Sequence, residues 1–67
     1  MAPIERMATR IKAARKKRGW SQEELAQKAG LSRTYLARLE TARQDPTLST
    51  LEKLAKALRV NVAKLLK

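Results

Sequence analysis

Arg33, Thr34 and Arg38 are the side chains of this sequence best suited to chemistry, and that chemistry is hydrogen-bond recognition. If Leu36 and Leu39 turn inward, helical spacing puts Arg33, Thr34, Ala37 and Arg38 toward the other side of the same helix. A guanidinium offers paired N–H donors in a fixed fork, and threonine adds a hydroxyl and a methyl group. Bond-making chemistry has little to work with. The chain contains no Cys and no His, which removes thiolate ligands, the commonest metal ligand and the commonest general base. Glu23 and Glu24 resemble a carboxylate pair, but helix capping explains Glu24. No nucleophile–base pair, metal cluster or phosphate-cradling loop is present. The sequence is therefore not expected to be an enzyme, or to take a metal, a cofactor or a small-molecule ligand.

The charge balance indicates a polyanionic partner. Sixteen Lys and Arg against six Asp and Glu give a net charge of +10 on 67 residues. Residues 1–20 hold seven basic and one acidic residue, residues 47–67 five and one, and residues 21–46 four of each. A neutral centre between basic flanks suits a shaped reader better than a polycationic tail. No apolar run has the length of a membrane span or secretory signal, so a soluble, cytoplasmic protein without a membrane partner is expected.

Sixty-seven residues form one domain, 1–67, near the lower limit for folding unaided. The fold class expected is all-α, a compact bundle of five helices over about 4–18, 22–29, 33–41, 50–58 and 62–66. Met7, Ile11 and Ala14 face inward on the first helix, which Gly19 ends. Ser21 caps the second and forms a capping box with Glu24, with Trp20 and Leu25 as a hydrophobic staple. Ser32 caps the third. Pro46 leaves 42–48 as a loop, Ser49 and Glu52 form a second capping box, and Asn61 caps the last helix. Leu51, Leu54, Ala55 and Leu58 make one stripe.

Residues 22–40, QEELAQKAGLSRTYLARLE, carry the decisive spacing. Leu25 and Ala29 lie four apart on one helix, Leu36 and Leu39 three apart on the next, and Gly30 tolerates the sharp turn between them. Ala26 keeps the crossing tight. This is the pattern of a helix-turn-helix, whose second helix is shaped for the DNA major groove. Arg33 and Thr34 lie in its first turn. Arginine can bond guanine O6 and N7 together, and each such contact discriminates by about 1–3 kcal/mol. Tyr35 is expected to close the core edge with its ring while its hydroxyl reaches a phosphate. Helix N-termini at Gln22 and Arg33 add phosphate sites through free N–H groups.

With these elements placed, the chain resembles the DNA-binding domain of the lambdoid phage repressors and Cro proteins, the Xre-type helix-turn-helix family. The similarity runs over about residues 7–66, through IKAARKKRGWSQEELAQKAGLS, RTYLARLE and PTLSTLEKLAKALRVNVAKLL. It implies base contacts from Arg33, Thr34 and Arg38. Gln22 matches a phosphate-bonding glutamine, and phosphate contacts are also assigned to Ser32, Tyr35, Arg43, Gln44 and Lys17. Arg15 and Glu40 match a buried ion pair joining the first and third helices. One departure concerns the loop: the family often has glycine after the third helix, where this chain has Thr41-Ala42. Either the helix extends slightly or the loop leaves it differently.

The function implied is sequence-specific binding of double-stranded DNA by a homodimeric prokaryotic or phage transcriptional regulator on a palindromic operator. Val60, Val62, Leu65 and Leu66 are the expected dimer contact. The dimer is expected to be weak, or the chain to be the DNA-binding piece of a longer repressor. The alternative is a protein-interaction module of the same fold, antitoxin-like or bridging, with little base readout. For Lys16, Lys17 and Arg18 the alternative is a solvated helix end suited to the helix dipole. Lys53, Lys56, Lys64 and Lys67 fit a solvated, solubilising face.

Overall fold

The three central helices of this protein begin and end where residue chemistry satisfies the terminal backbone groups. The computed structural model describes residues 3–66, so Lys67 lies outside the described residues. Its elements are α1 (Pro3–Lys17), α2 (Gln22–Ala29), α3 (Arg33–Glu40), α4 (Leu48–Leu58) and α5 (Val62–Leu66), with no strand among the described residues. Pro3 opens α1, where its missing N–H costs nothing, and Arg15, Lys16 and Lys17 complement the dipole in its last turn. Beyond it, the Gly19 N–H donates to the Lys16 carbonyl at 2.9 Å and the Trp20 N–H to that of Arg15 at 3.2 Å.

The capping box of α2 is complete. The Ser21 N–H donates to the Glu24 carboxylate at 2.9 Å, and the Glu24 N–H donates to Ser21 Oγ at 3.1 Å. These bonds favour ionised Glu24 and hold its pKa below the ordinary carboxylate value. The chain leaves α2 through Gly30 at φ +70°, whose N–H reaches the carbonyls of Ala26 and Gln27. Two residues later Ser32 Oγ accepts the Tyr35 N–H at 3.0 Å and starts α3.

The start of α4 differs from the sequence expectation. Thr47 is the N-cap, accepting the Thr50 N–H at 3.1 Å, and the helix runs from Leu48. Ser49 is thus a helical residue, and Ser49–Glu52 is no capping box. Thr47 is extended, ψ 164°, as an N-cap requires, and its Oγ1 is held by the buried Thr50, a contact for which Ser49 has no equivalent. At α5, Asn61 contributes its backbone carbonyl, which accepts the Lys64 N–H at 3.0 Å.

The core is drawn from every helix. Ile11, Leu25, Leu36, Leu39, Leu54, Leu58 and Leu65 are its largest fully buried side chains. Ala8 is buried on α1 where Met7 and Ala14 are only partly so, and Trp20, Leu31, Tyr35, Val60 and Val62 seal the edges. Ala26, 2% exposed, is buried on α2, the helix that packs on both α3 and α4. Leu65 corrects one expectation: at 1% exposure it belongs to its own core and is no dimer contact, whereas Leu66 is 47% exposed. α1 packs on α3, α4 and α5, and α2 packs on α3 and α4, so α3 is held from two sides.

Candidate nucleic-acid interface

The two faces of α3 have opposite characters. Leu36 and Leu39 are 0% and 2% exposed, while Arg33, Thr34 and Arg38 are all exposed. Burial of the leucines on a rigid core fixes the rotation of the helix, and therefore the direction in which the exposed donors project. Thr34, Ala37, Arg38, Thr41 and Arg43 together line one shallow surface depression. Arg33 occupies the first helical position beside it.

A second anchor fixes the far end of α3. Arg15 Nε donates to Glu40 Oε2 at 2.8 Å and Arg15 Nη2 to Glu40 Oε1 at 3.0 Å, a two-point ion pair in the interior. Arg15 Nη1 also donates to the Trp20 carbonyl at 2.7 Å, tying the α1–α2 link to the same group. Hydrogen bonding to Glu40 raises the Arg15 pKa still further, outweighing desolvation, which acts the other way. Gln22 joins this network: its Nε2 donates to Glu40 Oε1 at 3.1 Å. One amide N–H is thereby engaged, leaving the second N–H and the amide oxygen for another partner. Among the described residues, no buried side-chain nitrogen or oxygen lacks a hydrogen-bond partner.

The loop after α3 leaves by its own route. The helix does not extend: Thr41 follows at φ −106°, and Ala42 takes the left-handed conformation at φ +59°. The Arg43 N–H then returns to the Arg38 carbonyl at 2.9 Å, closing the helix end. Ala42 thus holds a left-handed conformation that glycine adopts freely, at the cost an L-residue carries there. The turn leaves Arg43 exposed beside Thr34 and Arg38, with Gln44 half-buried.

Tyr35 is half-buried, and its hydroxyl lies 3.2 Å from Thr50 Oγ1 at the start of α4. Thr47 Oγ1 donates to the same Thr50 oxygen at 3.0 Å, so the Thr50 proton is free to go to Tyr35. Either hydroxyl of the Tyr35–Thr50 pair can be the donor, since the Thr50 oxygen has a second lone pair. This contact was not legible in the sequence, because Thr50 carries no signal of its own until the α4 start is known. Lys17 is not brought together with the α3 group. It lines surface beside Ala14, Val60 and Lys64, where α1 meets α5. Ser32 Oγ faces solvent at the α3 cap.

The arrangement is a helix with exposed paired donors, flanked by the N-terminus of α2 and by exposed Arg43 in the loop that follows. It can bind a polyanion and discriminate among planar acceptor edges. Comparison with known proteins gives the same picture. A family model described as helix-turn-helix matches residues 11–65. The immunity repressor protein of Bacillus phage phi105 is 56% identical over 54 residues, covering 81% of this chain and 38% of that repressor. A hypothetical transcription factor of Neisseria meningitidis is 45% identical over 60 residues, 90% of this chain and 57% of that protein. The crystal structure of a hypothetical transcription factor from Neisseria superimposes with a TM-score of 0.95 over 98% of this chain and 76% of that one, at 41% identity. The biofilm master regulator SinR, solved in complex with DNA, gives a TM-score of 0.88 and 42% identity over 91% of this chain and 98% of its own. The chain thus spans well under two thirds of the length of those first two curated relatives. By this match over most of its length, the chain belongs to the Xre-type helix-turn-helix family.

Proposed function

We propose that this chain is the DNA-reading domain of a prokaryotic or phage transcriptional regulator, which lays α3 in the major groove. Arg33, Thr34 and Arg38 read base edges, with at least one G·C pair in each half-site bonded by an arginine. Gln22, Ser32, Tyr35, Arg43 and Gln44 hold the flanking phosphates and set the register. The observation that carries this reading is the exposure of the three readers on a helix whose opposite face is sealed by Leu36 and Leu39. The repressor name of the phage relative and the DNA-bound SinR structure support it. Among the described residues, no helix is long and apolar enough to cross a membrane.

One such surface is small, and two-fold dimers on palindromic operators multiply it, with half-sites about 34–36 Å apart. Exposed Leu66 and half-buried Val62 and Val60 are the contacts proposed for that dimer. A salt titration against random-sequence and operator-like duplexes tests the proposal. Log K against log [salt] falls by about 0.9 for each phosphate neutralised. A steep slope together with preference for one sequence is the expected result. Salt-insensitive association with a protein partner and none with DNA points to the bridging alternative.

A further inference from the structure

A second strongly basic surface lies away from the α3 readers, where α2 and α4 pack together. Arg18, Trp20, Lys28, Lys53, Lys56 and Arg59 wall an open cleft of about 670 Å³. Ala29 and Ala57 complete its lining, and among the described residues no acidic side chain lines it. It shares no residue with the depression formed by Thr34, Ala37, Arg38, Thr41 and Arg43.

Some of these cations have local partners, and those partners do not neutralise the cleft. Arg18 Nη2 donates to the Leu58 carbonyl at 2.6 Å, which fixes the guanidinium at the rim while leaving its charge uncompensated. Lys28 has the ionised Glu24 one turn before it, which offsets part of its charge but, among the described residues, forms no ion pair with it and leaves four further cations in the cleft. The Lys28 ammonium lies 4.9 Å and the Arg18 guanidinium 5.6 Å from the centre of the Trp20 ring. The aromatic ring thereby gathers two cations at one wall. Helix dipoles favour cations near the α2 and α4 C-termini, yet Lys53 lies mid-helix and has no such reason to point here.

We infer that this cleft is a docking site for an acidic peptide segment of a partner protein. Five cations call for carboxylates, and Trp20, Ala29 and Ala57 provide apolar surface for an intervening side chain. A duplex backbone, uniformly charged and convex, would leave that concave apolar wall unfilled, which favours the peptide over a second stretch of nucleic acid. The inference does not depend on α3 reading DNA.

Trp20 is the only tryptophan in the chain, so its emission reports directly on the cleft. The probe is a synthetic peptide of eight glutamates interrupted by one leucine, titrated against the whole chain at moderate salt. The expected result is a saturable change in Trp20 emission. Lys53→Glu/Lys56→Glu should weaken it at least about tenfold, since charge reversal at two positions turns attraction into repulsion. Arg6→Glu/Lys12→Glu, with the same net charge but changed outside the cleft, should retain binding. Far-UV circular dichroism checks that both variants are folded. The proposal is overturned by a flat titration, by equal losses in the two variants, or by a random-sequence duplex producing the Lys53/Lys56-dependent emission change in place of the peptide.

Discussion

Arg15 and Glu40 meet across 25 residues of sequence in a two-point ion pair, with Nε–Oε2 at 2.8 Å and Nη2–Oε1 at 3.0 Å. Their side chains are 10% and 1% exposed, so the pair sits where the first and third helices touch. It makes the end of α3 a fixed point of the core. Because Gln22 shares Glu40, the start of α2 is fixed by the same carboxylate.

Glu40→Ala should cost about 3 kcal/mol, because it leaves the Arg15 guanidinium buried without its counter-charge. Arg15→Met/Glu40→Leu should recover most of that loss, since two apolar side chains carry no desolvation penalty. Urea denaturation of the three variants measures both differences. The pKa of Arg15 is raised on folding, so its contribution is complete below the unfolded value and is lost only as pH rises through the still higher folded value. Through the neutral range, the arginine partner should therefore give the pair no pH dependence.

Ala42→Gly should stabilise the protein by about 0.5–1 kcal/mol, because it relieves an L-residue held at φ +59°. The mirror experiment is Gly30→Ala. A Cβ there meets nothing within 4 Å, so the loss of about 1–2 kcal/mol comes from the φ of +70° alone. Thermal melts of both variants should move in opposite directions.

Ala26→Leu should destabilise by about 1–3 kcal/mol through overpacking of the core beneath α2. An unchanged melting temperature would show that the core there has room, contrary to the 2% exposure of Ala26.

The arrangement of the helices was legible because it depends on local chemistry. Ser21, Glu24, Gly30 and Ser32 lie within a few residues of the groups they satisfy, and the leucine spacing fixes which way each helix faces. The α4 start misled because Ser49–Glu52 has the spacing of a capping box, while Thr47–Thr50 does not advertise itself. Only tertiary structure decides between them, since Thr50 is buried and bonded to Tyr35. The bond from Gln22 to Glu40 and the position of Lys17 beside α5 were hidden for the same reason: each depends on how non-neighbouring helices pack.

Tyr35→Phe removes the hydroxyl that meets Thr50 and should cost about 0.5–1.5 kcal/mol of stability. If that hydroxyl also donates to a phosphate, DNA affinity should fall by a similar amount on every sequence. The salt slope should not change, since a neutral donor releases no counterion. Arg43→Ala should instead lower the slope by about 0.9. Titrations at several salt concentrations separate the two effects.

Selection of bound duplexes from a random pool, run in parallel on the wild-type chain and on Arg33→Ala, tests the central claim most directly. The wild type should enrich a two-fold symmetric site with a G·C pair at a fixed place in each half. In the Arg33→Ala pool that position should become degenerate while the rest of the motif persists. A wild-type pool with no enriched sequence at moderate ionic strength would contradict the assignment of α3 as the reading helix.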